Sequence, residues 1–403
     1  MSTSLLYNAF GARGQSYEKT EYVNGEVHYY VQLKERHIRC PICKSRQLTR
    51  HGGEYRPLWT LPIGWRPVRL FVWVPRVQCR YCKVRRRVEV PFADRRVSYT
   101  KALARHVVEK CRVMTKKDVA NTLPLGWDVV KSIHKKYLKA RFGKPRLRDL
   151  KRIAIDEISI GRNHRYLTVV LDLTTGAVVY IGEGKGADAL KAFWTSLGRA
   201  HAKLEAVATD MSEAYISAVL NNAAETTLVF DRFHIVRLFN KKITKLRRDL
   251  QREAEETGKD VLKGIRWLLL KHPEDLDHEH DEHKRLHDAL VLNQPLALAY
   301  YMTDEFRRFW EMPDKDAAAR FLDRWIERAK ATDVAVLRQL GRSMENHRYG
   351  LLAWYDFPIS TGPLEGTNNK IKTLQRQAYG YRDQEYLRLL IFACHETRYA
   401  LVG

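Results

Sequence analysis

Three acidic side chains stand where an ordinary core would not put them. Asp156 interrupts the apolar run RIAIDEISI, Asp210 closes the run EAVATD, and Glu365 opens the amphipathic segment GPLEGTNNKIK. A carboxylate on a buried strand is costly unless donors or a cation meet it. The plainer reading of each aspartate is a strand end satisfied by nearby backbone N–H groups. As a helix, the third segment puts Glu365, Asn368, Asn369 and Lys372 on one face and Leu364, Ile371, Leu374 and Ala378 on the other. A carboxylate near a helix start, with amides and a lysine beside it, can meet a metal and a phosphate together. By itself it is also just the wet side of an amphipathic helix. Glu157 should point to the opposite face of its strand from Asp156 and is left out of the set.

A second constellation is Cys40-Pro-Ile-Cys43 with Cys79-Arg-Tyr-Cys82, with 35 residues between the inner cysteines. Two-residue spacing lets each pair take one edge of a zinc tetrahedron, and four thiolates leave no open position, so the ion would be structural. Four reduced thiols without metal, or His51 in place of one cysteine, are the lesser alternatives. Arg80, Lys83, Arg85, Arg86 and Arg87 crowd the second knuckle, as a phosphate-facing surface would require, or as a solvated basic face would. The remaining thiols, Cys111 and Cys394, read as buried filler.

The elements that must position these groups follow from the rest of the chain. Its 403 residues, 45% apolar and 29% charged, can bury a sizeable core and suffice for two or three domains. Residues 1–150 carry 33 basic and 11 acidic side chains (+22), and the remainder 38 and 36 (+2). Such a basic front meets a polyanion, nucleic acid before membrane. No apolar run reaches the ~18 residues of a bilayer span. No signal peptide is visible, so an intracellular, soluble protein with reduced thiols is expected. Asn24-Gly25 joins two alternating runs as a hairpin. Residues 40–96 read as short strands and turns. KKDVANTLPLGWDVVKSIHKKYLKAR reads as helix, turn and helix with facing apolar sides, its second helix offering Lys131, His134, Lys135, Lys136 and Lys139 to DNA; an ordinary helical pair over the core is the alternative. GKPRLRDLK is a basic linker. Strands follow at RIAIDEISI, RYLTVVLDL and AVVYIGEG, then helix ADALKAFWTSL, strand EAVATD, a helix over 212–222 and strand TTLVFD. Residues 233–357 are almost wholly helical, and a last amphipathic helix spans Tyr386–Leu401.

A strand with Asp, a hairpin, a helix, a strand ending in Asp and a later helix with Glu is the ribonuclease-H-like order. There, three carboxylates hold two Mg²⁺ that clamp a phosphodiester. The chain resembles, over nearly its whole length, the ISL-three family of bacterial and archaeal insertion-sequence transposases. CPIC…CRYC is similar to that family's zinc module and 99–141 to its helix-turn-helix. IAIDEISIGRNHRYLTVVLDLTTGAVV, VATDMSEAY and ISTGPLEGTNNKIK are similar to its three catalytic blocks. The resemblance implies Asp156, Asp210 and Glu365 as a DDE triad, with an all-α insertion between residues 210 and 365. It also likens Asp231-Arg-Phe-His234 to a DxxH motif of related transposases, with a structural role for His234 as plausible as a DNA contact.

The expectation is a multidomain α+β chain. It comprises a β-rich zinc ribbon with an N-terminal hairpin (1–97), a helix-turn-helix (98–145), a ribonuclease-H-like α/β catalytic domain (151–235 and 358–403) and an all-α insertion (236–357). Its activity would be Mg²⁺-dependent strand cleavage and transfer on double-stranded DNA, at terminal inverted repeats and target. It would use two Mg²⁺ per site, one structural Zn²⁺ and at least a homodimer on DNA, in the prokaryotic cytoplasm at the nucleoid. The rivals are an inactive DNA-binding regulator and a nuclease that cuts without joining. His278, His280, His283 and His287 are read as an exposed helix or loop, and Trp267, Trp310 and Trp325 as core of the insertion. Arg348 and Trp354 are candidates to approach DNA.

Overall fold

The computed structural model describes residues 5–161, 165–254, 260–263 and 265–395. The chain divides into two compact units, residues 1–143 and 144–396, each described by itself. Among the described residues no helix is long and apolar enough to cross a membrane.

In the first unit a short helix α1 (Leu5–Phe10) precedes the hairpin β1 (Gln15–Val23) and β2 (Glu26–Leu33). Asn24 and Gly25 both take positive φ (51° and 81°) at its turn, as a two-residue turn between right-twisted strands demands. The stretch expected to hold short strands instead forms a long hairpin, β3 (Leu48–Ile63) and β4 (Arg66–Cys79), with a small β5 (Arg85–Arg87) beside β4. The sheet order is β1-β2-β4-β3. Val68, Leu70, Val72 and Val74 alternate inward with Leu58, Val27 and Val31 to build its core. Helices α2 (Lys101–Val113), α3 (Lys116–Thr122) and α4 (Trp127–Phe142) follow. Thr100 and Thr115 cap the first two through their hydroxyls. Leu103, Val107, Val119, Val130 and Ile133 form their shared core.

The second unit is built on a five-stranded sheet. Its strands are β6 (Arg152–Ser159), β7 (Tyr166–Asp172), β8 (Val178–Glu183), β9 (Ala206–Thr209) and β10 (Thr227–Phe230), in the order β10-β9-β6-β7-β8. β6, β7 and β8 run antiparallel in sequence, whereas β9 pairs parallel with both β6 and β10. Helices α5 (Ala187–Ala200), α6 (Glu213–Asn222) and α7 (Arg232–Glu253) complete this part. Ile153 and Ile155 face one side of the sheet, in a core shared with Phe193, Phe230, Phe306, Phe309 and Trp325. The helical segment after α7 thus continues the core of the sheet through Phe306, Phe309 and Trp325, and also builds a second core of its own from Leu262, Ile265, Leu268, Leu286, Leu290 and Leu296. Ala154, Ile158 and Ala208 face the other side, under Leu364 and Ile371 of the helix Gly362–Gln377 and Leu387 and Ile391 of the helix Gln384–Phe392. That last helix begins two residues earlier than expected and ends at Phe392. The expected turns to Leu401 lie, beyond residue 395, outside the described residues.

Candidate active site and cysteine tetrad

Sheet register brings the two aspartates together. β6 and β9 pair with Arg152 opposite Ala206 and Ala154 opposite Ala208, so the same offset carried two residues further sets Asp156 beside Asp210. Both point to the face that Ala154 and Ala208 occupy. β10 continues the pattern: Phe230 lies opposite Thr209, and the N–H of Asp231 donates to the Thr209 carbonyl at 3.1 Å. Asp156 within β6 and the residues that directly follow β9 and β10 thus set three aspartates side by side across three parallel strands.

Electrostatics mark this edge. Burial, with the carboxylates of Glu157 and Asp210, raises Asp156 to about 6, against the pull of the Glu157 backbone N–H and of His234. Burial also raises Asp210, although the Ser212 N–H donates to it at 3.0 Å. Asp231, 1% exposed, moves the other way. Burial opposes it, but its carboxylate accepts from the Nδ1 and backbone N–H of His234 (both 3.2 Å) and from the Thr361 N–H (2.9 Å). The bond to Asp231 raises His234 in turn, and its Nε2 stands 4.0 Å from Asp156. Glu157 points to the other face, as expected, where the Tyr215 hydroxyl donates to it at 2.9 Å and meets Thr168 at 3.2 Å. The Tyr215 contact was not singled out from sequence; its only signal was a tyrosine five residues after Asp210.

The helix carrying Glu365 is fixed at two points around it: Thr361 is held by Asp231, and the Asn368 amide donates to Asp156 Oδ2 at 3.0 Å. Asn368, expected on the DNA-facing side, is instead buried, because its position on the helix faces β6. Its Oδ1 and the buried Thr209 hydroxyl, next to Asp210, have no protein partner. Glu365, Asn369 and Lys372 are exposed. Among the described residues, the cysteine tetrad is the only group of three or more possible ligands with all ligating atoms within 4.8 Å; the three carboxylates stand further apart than that.

The tetrad itself converges. Cys40 and Cys82 sulfurs are 3.6 Å apart and those of Cys43 and Cys79 3.5 Å, near the roughly 3.8 Å edge of a tetrahedron of thiolates about 2.3 Å from one ion. The two knuckles repeat one local design. Lys44 and Lys83, each following a second cysteine, take positive φ of 61° and 58°. Cys40 N donates to Ser45 O and Cys79 N to Val84 O, both at 2.9 Å. The Cys82 N–H foremost lowers Cys79 to about 6. Ser45 N–H pulls Cys43 down, but burial and the three neighbouring thiols outweigh it and push it up to about 12. Four thiols this close cannot all ionise without a cation between them.

The expected DNA-facing cations are unevenly free. Arg85 and Arg86 are exposed, Arg80 reaches Thr49 at 3.4 Å, and Arg87 pairs with Glu54 at 2.6 Å. On α4, Lys136 pairs with Asp94 at 2.6 Å, and Lys131 and Lys135 are half-buried. His134 does not face solvent: it is buried one turn from Val130 in the apolar stripe, and burial, with Lys116 and Arg112, lowers it to about 3. Trp325 and Trp310 are core, but Trp267 is 64% exposed under Arg266, at the surface of the helical segment. The four histidines of 278–287 are exposed. Arg348 is engaged by Asp323 at 2.8 and 2.9 Å.

Residues 153–391 match the family described as "Transposase" in its DDE ISL3 form, and residues 88–138 match the "Helix-turn-helix domain of transposase family ISL3". The transposase for insertion sequence element IS1001 of Bordetella parapertussis is 30% identical over 400 residues, 98% of each chain. The transposase for insertion sequence element IS1557 of Mycobacterium tuberculosis is 28% identical over 87% of this chain and 84% of its own. A Drosophila P element transposase strand transfer complex aligns with 75% of this chain and 94% of that one, at 11% identity and a TM-score of 0.40.

Proposed function

The chain belongs to transposase family ISL3, and from that membership we propose that it cleaves and joins DNA at the ends of an insertion sequence, with Asp156, Asp210 and Glu365 as the working carboxylates. The observation that carries this is the β6–β9 register, whose offset carried two residues on sets two half-buried carboxylates side by side. The strand order β10-β9-β6-β7-β8, with only β7 running against the other four strands, supports a ribonuclease-H-like reading of the domain.

The donor set fits magnesium. It is all oxygen, burial raises the pKa of two of its carboxylates so that a cation there would stabilise their charged form, and the Asn368 Oδ1 beside them lacks a protein partner. When bound there, Mg²⁺ would polarise the scissile phosphate and acidify a water. The chain's own residues prepare that site. Asn368 orients Asp156, Asp231 orients His234, and Thr361 and Asn368 bracket Glu365 on its helix. Water attack at the element's end would free a 3′-hydroxyl, which would then attack target DNA without a covalent enzyme intermediate. Joining two ends calls for at least two copies on DNA. The cysteine tetrad fits one structural Zn²⁺, held by Cys40, Cys43, Cys79 and Cys82, which would neutralise the thiolates and tie the two knuckles together. The helix-turn-helix, with Lys131, Lys135 and Lys136 on α4, and the basic knuckle would bind the terminal repeats, while Asn369 and Lys372 would meet DNA near the carboxylates.

The test is cleavage of duplexes bearing the element's ends, and joining of pre-cut ends, by wild type, Asp156→Asn, Asp210→Asn and Glu365→Gln with Mg²⁺. Products lost in all three variants while end binding persists support the assignment; full activity in any of them overturns it. Cutting without joining would identify a nuclease, and binding without products a regulator.

A further inference from the structure

Trp65 is entirely exposed, at 101% of its reference area, on the tip of the longest hairpin among the described residues. The turn does not require it. Ile63 pairs with Arg66, so Gly64-Trp65 is a two-residue turn, and Gly64 alone takes positive φ, +58°. A turn of this kind demands glycine first and accepts any polar residue second. An indole left wholly in water, next to a 43% exposed Ile63, needs another explanation.

The hairpin is anchored on the helix-turn-helix. Trp59 N donates to Ser98 O at 2.7 Å, Thr100 N donates to Trp59 O at 2.9 Å, and the buried hydroxyls of Thr60 and Thr100 meet at 3.1 Å. Trp59 and Leu61 pack against the core of α2–α4. From Thr60 to Ile63 the strand runs about 10 Å at ~3.3 Å per residue, and the Gly64-Trp65 turn with its outstretched indole carries the tip further. That reach is on the order of half the ~34–36 Å DNA repeat, and so of the step from a major groove to the neighbouring minor groove. Residues 55–73 carry Arg56, Arg66 and Arg69 and no acidic side chain, within a region of net charge +22 over residues 1–150. Such a tip repels a second copy of itself and attracts a polyanion.

We propose that the β3–β4 hairpin tip enters the DNA minor groove beside the groove read by the helix-turn-helix, with Trp65 wedged against a base step and Arg66 on the flanking phosphates. Apolar side chains inserted this way unstack a step and bend the duplex. The inference rests on DNA binding by the helix-turn-helix, and its test separates the two. Full-length wild type, Trp65→Ala, Trp65→Phe and Lys131→Glu/Lys135→Glu are titrated into 50-base-pair duplexes bearing the element's end, with 2-aminopurine at successive positions.

Trp65→Ala should bind about 10-fold more weakly and lose the fluorescence rise that marks an unstacked base, with its salt dependence unchanged. Trp65→Phe should keep most of both. The double lysine variant should lose affinity and salt dependence together. Wild-type binding and fluorescence in Trp65→Ala, while the lysine variant fails, overturn this proposal alone. If the lysine variant binds as wild type, the helix-turn-helix reading falls as well. A change in sedimentation of the free Trp65→Ala chain would assign the tip to an interface between copies and overturn the proposal.

Discussion

Replacing Asp231 by asparagine keeps the shape of the side chain and removes one acceptor from a buried, three-donor junction. The wild-type carboxylate accepts from Thr361 N at 2.9 Å and from His234 N and Nδ1 at 3.2 Å. An amide has one acceptor oxygen. If that oxygen keeps the cap of α7, where asparagine serves as well as aspartate, its NH₂ faces the Thr361 N–H and that buried donor is orphaned. One orphaned buried donor costs ~1–3 kcal/mol, and loss of the charged acceptor adds to it. We expect about 2 kcal/mol, a roughly 30-fold rise in the open population at Thr361. Hydrogen exchange by mass spectrometry on a peptide spanning 357–366 reads this directly, beside a control peptide from β7. DNA joining should fall too, because Glu365 sits one turn from the loosened end. Unchanged exchange at 357–366 together with an unchanged unfolding midpoint would refute the reasoning, since a buried carboxylate with three donors would then contribute nothing.

Other outcomes follow from single sites. His134, held neutral in the fold near a pKa of about 3, lets the unfolded chain take up a proton first as pH falls below about 6.5. Its stabilisation is whole above that pH and fades below it, by about 2 kcal/mol at pH 5; the unfolding midpoint of wild type should drop more between pH 7 and 5 than that of His134→Gln. Purified chain should carry one zinc by elemental analysis, and Cys79→Ser or a strong chelator should release it and weaken DNA binding; equal binding with zinc removed would count against a structural role. Gly182→Ala would set a Cβ 2.1 Å from the Ala189 carbonyl, forcing β8 from α5, so the guanidinium midpoint should fall by the equivalent of roughly 2–3 kcal/mol, and a neutral result would mean that contact can relax.

What the residues disclosed depended on whether one force or several acted on them. The strand–hairpin–strand order of the second unit's sheet was legible because β6, β7 and β9 are apolar runs bounded by turn residues such as Gly176, at a φ of +73°. The long β3–β4 hairpin was not. Phe71 and Trp73, on the outward side of β4, are as apolar as Val72 and Val74 on the inward side, because Phe71 stacks on Tyr30 at 4.8 Å and Trp73 meets Tyr55 edge to face at 5.1 Å. The alternation that marks a strand was thereby hidden. Pro75 lies within the same run, paired with Gly53 beside a register shift, where a proline is tolerated in a strand. His134 could have been read correctly: with Val130, Ile133 and Leu138 it completes a helical stripe, and its polar ring drew it wrongly to the DNA side. Asn368 had no such signal, since only tertiary contact decides which amide of an Asn-Asn pair meets Asp156.

The same junction at Asp231 explains how some 130 residues of chain can separate two parts of the candidate site. The helical segment leaves the sheet at α7, directly after Asp231, and the chain returns at Thr361, whose N–H bonds that same carboxylate. Departure and return are therefore one hydrogen bond apart, and a segment closed at its base adds length at little cost to the frame that holds it. It is not a passive loop, because Phe306, Phe309 and Trp325 share a core with Ile153 and Ile155 of β6, on the face opposite Asp156. Substitutions that open that core should thus act on β6 from behind. Trp325→Ala removes a fully buried ring that meets Phe306 edge to face at 4.8 Å and donates to Met302 O at 2.8 Å, at ~3–5 kcal/mol. If strand joining survived that loss at temperatures where the variant remains folded, the helical core would be independent of the carboxylate edge, and the continuity of packing across β6 would carry no functional weight.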